Sequence, residues 1–149
     1  MLLAVPVHAQ QATPDPVTTP GAVDRHVTQA NIGGMICRQG YAKTVLPPKA
    51  YTNRLKRQQL AALGLPRSKL RLFEEDYLIP LELGGAPRDP RNVWLEPLTG
   101  PWSAQDKDKL ENRLNRLVCT GWVPLDEAQH EIATDWVGAF IKYVWRNVE

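Results

Sequence analysis

An α+β fold class follows from three features of the sequence. The apolar stretch Leu78-Ile79-Pro80-Leu81-Glu82-Leu83 runs into Gly84-Gly85, and the chain returns through Asn92-Val93-Trp94. This is the pattern of a strand, a reversal and a second segment leading into a helix. Behind it, Leu110, Leu114, Leu117 and Val118 recur at helical spacing. Two more helical patterns flank this centre, over residues 51–63 and 124–144. The expected architecture is a hairpin-plus-helix core enclosed by additional helices.

The chain has 149 residues, enough for one domain with one core, and a formal net charge of +2. So weak a basic balance permits contact with nucleic acid without arguing for it. No stretch approaches the length of a membrane span. Residues 1–10 read as a partial signal peptide, with Val7-His8-Ala9 as a small-x-small cleavage site and no basic segment before it. Residues 11–21, rich in Pro, Thr and Gln, read as a disordered linker. Residues 22–149 then form the single domain. Cys37 and Cys119 would pair in an oxidising compartment, whereas in the cytosol they would be two buried free thiols.

Within the domain, Asn31 is a candidate cap for a short helix that Gly33-Gly34 weakens. Residues 40–48 read as an extended connection ended by Pro47-Pro48. The helix over residues 51–63 is ended by Gly64 and Pro66, and it carries a basic cluster of Arg54, Lys56 and Arg57. In the hairpin, Pro80 has no amide donor and belongs at an edge or bulge, and Gly84-Gly85 permits positive φ at the reversal. Ser103 caps the next helix, over residues 103–118, with Asp106 in its first turn. Asp135 marks a bend in the last helical pattern, or else that pattern is one long helix.

Glu75-Asp76-Tyr77-Leu78-Ile79-Pro80-Leu81-Glu82-Leu83-Gly84-Gly85, followed by Asn92-Val93-Trp94, resembles the HNH, or ββα-metal, endonuclease family. Its pattern is Asp-His, a Pro-Leu-x-Leu-Gly-Gly hairpin, then Asn-Leu-Trp-x-x-Pro leading into a helix. Fourteen residues separate Tyr77 from Asn92, the spacing between the family's first His and its central Asn. The likeness covers residues 73–118 and points to an exported bacterial branch, periplasmic or secreted. It implies a ββα-metal core, nucleic acid as partner, and hydrolysis of phosphodiester bonds in DNA or RNA with one divalent metal ion (Mg, Mn or Zn).

Carried over position by position, the resemblance makes Asp76 a metal ligand and Asn92 the brace of the loop. It puts Tyr77 where the family has its general-base His. A phenol with an ordinary pKa of about 10 is a poor base at neutral pH, so hydrolysis is expected to be weak or absent. The family's last ligand position falls on Pro101, which has no ligating side chain, so Asn112 and then Glu111 are the candidates. Arg88, Arg91, Lys109, Arg113 and Arg116 are the candidate nucleic-acid contacts. Glu74 and Glu75 beside Asp76 read as either a cation site or a solvated edge. His26 or His130 could swing in as a substitute base; each reads equally as a surface histidine. The alternatives to a nuclease are a catalytically silent nuclease-fold protein that binds nucleic acid or a protein partner in the cell envelope, and a purely structural envelope protein.

Overall fold

A computed structural model describes residues 12–146. Residues 1–10, read above as a partial signal peptide, lie outside the described residues. The domain mixes helices with one two-stranded antiparallel sheet. In chain order the main elements are α1 (Tyr41–Val45), α2 (Lys49–Ala62), β1 (Phe73–Tyr77), β2 (Val93–Pro97), α3 (Ala104–Cys119) and α4 (Leu125–Phe140). Short 3-10 turns join several of them, and a π-helical turn over Ile141–Trp145 follows α4.

The strand register pairs Phe73 with Pro97, Glu74 with Glu96, Glu75 with Leu95, Asp76 with Trp94 and Tyr77 with Val93. Alternation then gives the sheet two different faces. Phe73 and Leu95 pack with Leu60 of α2, and Tyr77 and Val93 pack with Ala42, Val45 and Leu55. The opposite face carries Glu74, Asp76, Trp94 and Glu96, and it looks towards α3.

The first strand ends where the apolar stretch begins, which corrects the expected placement of a strand through residues 78–83. Leu78, Ile79, Leu81 and Leu83 are all buried, so the stretch lacks the one-sided burial of a strand. Pro80 precedes a 3-10 turn over Leu81–Leu83 that closes on Gly84 at φ 75°. Gly85 is required for a different reason, since a Cβ there would lie 1.8 Å from the Ile79 carbonyl oxygen. The connection of residues 78–92 is thus a packed, non-repetitive segment.

Residues 40–48 are also more structured than expected, because α1 occupies 41–45. The bend at Asp135 is real: its φ of −157° and ψ of 75° break α4, and its carboxylate accepts from the Gly138 N–H at 2.9 Å. At the start of α3, Asp106 reaches back to accept from the Ser103 N–H at 3.3 Å. The stripe Leu110, Leu114 and Val118 is buried against Ala128, Ile132 and Trp136 of α4.

The segment expected to be a disordered linker lies on the domain over residues 12–21. Trp136 Nε1 donates to the Ala12 carbonyl at 2.9 Å, Thr19 is buried, and the Gly21 N–H donates to the Arg91 carbonyl at 3.0 Å. Just beyond, Val23 bridges Gly85, and Ala86 N donates to the Ala22 carbonyl at 2.8 Å. The N-terminal segment therefore covers the 78–92 connection. Among the described residues, no helix is long and apolar enough to cross a membrane.

Cys37 and Cys119 form a disulfide with a sequence separation of 82, tying the segment before α1 to the end of α3. Closing so long a loop in the unfolded chain is worth about 4–5 kcal/mol in the chain-entropy model. A urea titration with and without reductant should show a loss approaching that size, and the Cys37→Ser, Cys119→Ser double variant should match the reduced protein.

Candidate functional site

Asn92 sits between the end of β1 and the start of β2 and is fully buried. Its Oδ1 accepts from the Ile79 N–H at 3.0 Å and the Ala22 N–H at 3.3 Å. Its Nδ2 donates to the Ile79 carbonyl at 2.9 Å and the Ala86 carbonyl at 3.3 Å. A carboxamide has two acceptor sites and two donors, and all four are used. The side chain holds together three segments that would otherwise bury unpaired backbone groups.

Tyr77, the last residue of β1, points to the α2 face, away from Asp76. Its hydroxyl donates to the Pro87 carbonyl at 3.1 Å. Burial, with a contribution from nearby Tyr51, pushes its pKa up to about 12. The phenol is therefore further from serving as a base than a free tyrosine.

Asp76 faces α3, where the fully buried Lys107 meets it. Lys107 Nζ lies 2.7 Å from Asp76 Oδ2 and donates to the Tyr77 carbonyl at 2.8 Å and to Glu111 Oε1. Trp94 Nε1 donates to the same Asp76 oxygen at 3.2 Å. Lys107 lies three residues before Leu110 and seven before Leu114, in phase with the apolar stripe of α3. That in-phase position is the sequence signal for a lysine inside the domain.

Glu74 and Glu96 stand directly opposite each other on the same sheet face as Asp76. One ligand oxygen from each of Glu74, Asp76 and Glu96 lies within 4.8 Å of the others. Glu96 is fully buried, and neither of its carboxylate oxygens has a hydrogen-bond partner. Glu75, on the other face, also has two unpartnered oxygens.

The carboxylates crowd one another in a poorly solvated space. Burial pushes the Glu75 pKa up to about 8 against the pull of Lys56. Burial and then Asp76 raise Glu74 and Glu96. Burial raises Glu111 despite the adjacent ammonium. For Lys107, burial works against the charge, but Asp76, Glu111 and Glu96 outweigh it, so the ammonium is retained.

The structure thus brings Asp76 and Glu111 together, but through Lys107. The expected partner Asn112 is not brought in: it is exposed and donates to the Asp108 carbonyl within its own helix. A cation held by Asp76, Asn112 and Glu111 does not fit this arrangement. The oxygen donors that fit a hard divalent ion are those of Glu74, Asp76 and Glu96.

The candidate nucleic-acid contacts are dispersed in role. Arg88 is exposed with its guanidinium 5.7 Å from the Tyr51 ring centroid, and Arg54 approaches the same ring at 5.8 Å. Arg91 pairs with Asp89 at 2.6 Å. Lys109 lies 3.4 Å from Asp106, Arg113 donates to the Tyr143 carbonyl at 3.3 Å, and Arg116 is exposed. Arg88 and Arg91 line an open groove of about 950 Å³, with Arg25 and His26 on its other wall. His26 is exposed and its Nδ1 lies 2.8 Å from Asp24, while His130 is exposed on α4.

Comparison of the chain with family models, with curated proteins and with solved structures gives no match.

The raised carboxyl pKa values set a pH dependence. A carboxyl that holds its proton more tightly when folded stabilises the fold fully below its unfolded pKa, and that stability is lost as pH rises through the folded value. For Glu75 the window runs from 4.5 to about 8, and Glu74, Glu96 and Glu111 act in the same direction. Urea midpoints in EDTA should therefore fall from pH 5 to pH 8. Lys107→Met strands the carboxylates and should cost about 3–5 kcal/mol at pH 8; the same titration at pH 5 should show a smaller loss, because protonated carboxyls need no counter-charge.

Proposed function

We propose that this chain is an exported HNH-like nuclease relative that engages the phosphodiester backbone of nucleic acid and hydrolyses it slowly. The observation that carries the reading is the Asn92 carboxamide. The residue that the resemblance assigns as the brace makes four hydrogen bonds, and these lock the connection behind Asp76 and Tyr77. The order of two antiparallel strands followed by a helix supports the same reading. The disulfide supports export to an oxidising compartment.

In this reading Arg88, exposed beside Tyr51, attracts the phosphate backbone. The divalent ion, held in part by Asp76, supplies Lewis-acid polarisation of a phosphodiester oxygen when bound. The lack of a histidine at position 77 accounts for the slow hydrolysis that this reading expects. A general base contributes about 10²–10⁴-fold, and the Tyr77 hydroxyl is committed as a donor to Pro87.

That same hydrogen bond favours a second reading, a silent scaffold that binds nucleic acid or a protein partner without cleaving. Plasmid nicking by the purified, oxidised protein in Mg²⁺ or Mn²⁺ separates the two. The nuclease reading expects metal-dependent nicking that disappears in Asp76→Ala. Folded protein that fails to nick, with salt-sensitive DNA binding weakened in Arg88→Ala, would establish the silent scaffold.

A further inference from the structure

We infer that Glu74, Asp76 and Glu96 form a carboxylate-only site for one hard divalent cation, built across the sheet and lying beside the Lys107 ammonium. This deepens the nuclease reading by naming the ligands of its cation, but the geometry for it stands without hydrolysis. The cross-strand pair Glu74–Glu96 and the in-phase Asp76 present three carboxylates on one face. Their ligand atoms lie within 4.8 Å of one another, and a cation about 2.0–2.6 Å from each oxygen holds its ligands within such a span.

The second observation is Glu96. It is 0% exposed, and both its oxygens lack a partner. A buried carboxyl group must be paired, coordinated to a metal, or held protonated until a cation replaces the proton. Lys107 cannot meet the need. An ammonium has three N–H donors, and those of Lys107 are directed to Asp76, Glu111 and the Tyr77 carbonyl. Asp76 uses Oδ2 for Lys107 and Trp94, which leaves Oδ1 for a ligand.

The donor chemistry selects the ion. Three carboxylates with no sulfur or imidazole suit Mg²⁺, Mn²⁺ or Ca²⁺ better than Zn²⁺. Lys107 acts as a fixed neighbouring charge: it neutralises part of the carboxylate excess and holds Asp76 in place, so the site takes one ion and not two.

Titration of the oxidised chain with Mn²⁺, followed by calorimetry and by loss of the free-ion EPR signal, tests the assignment. One Mn²⁺ should bind per chain and raise the unfolding temperature. Affinity should fall at least tenfold in Glu96→Gln and in Glu74→Gln, both of which keep side-chain shape, and should be unchanged in Asn112→Ala. A folded protein that binds no Mn²⁺, Mg²⁺ or Ca²⁺ at millimolar concentration would overturn the site, as would binding that Glu96→Gln leaves intact. Plasmid nicking in the absence of such binding would remove this site and leave the nuclease reading; binding without nicking would leave the site and remove hydrolysis.

Discussion

Four hydrogen bonds to one carboxamide hold the centre of this domain. The connection between the strands is fifteen residues long, 78–92, and buries Leu78, Ile79, Leu81 and Leu83 without forming a strand. Such a segment would leave its backbone groups unpaired. Asn92 supplies the missing partners at Ile79 and Ala86, and extends the same service to Ala22. The close approach at Gly85, the docking of residues 22–24 and the exit of β1 towards the carboxylate face all depend on that arrangement.

A second constraint joins the sheet to α3. Lys107 carries its charge into the gap between them and meets Asp76, Glu111 and the Tyr77 carbonyl. Buried ion pairs often stabilise little more than an apolar substitute would, because desolvation offsets attraction. Their effect here is to fix positions: the helix, the strand end and two carboxylates are held in one geometry. The buried Glu96 carboxyl, without a hydrogen-bond partner, is what makes this face chemically unusual.

Much of the arrangement was legible in the residues. Asn92 stood at a fixed spacing from Tyr77, the Ser103–Asp106 start of α3 followed capping rules, and Asp135 marked the break in α4. The two cysteines could be read as a pair, though the residues alone left free thiols open. Glu96 was not legible, because charged residues are almost always solvated and it reads as surface until its neighbours are known; Lys107 showed only its phase with the apolar stripe of α3. The end of β1 was misplaced because an apolar run signals burial without saying whether the buried segment is extended. Residues 12–21 looked like a tether by composition, but Trp136 and Arg91, 70 or more positions away, provide the surface they lie on.

The sequence by itself determined the α+β class, the helical stripe of α3, the positive-φ turn at Gly84 and the weakness of position 77 as a base, since these rest on local periodicity, backbone freedom and the chemistry of single side chains. Only the tertiary structure decided that Asp76 and Tyr77, adjacent in the chain, serve opposite faces of the sheet. It alone decided that Asn112 turns to solvent while Glu96 turns inward, and that an ammonium stands between Asp76 and Glu111. Those outcomes depend on strand register and on the rotation of α3 against the sheet, which are set by contacts between residues far apart in sequence.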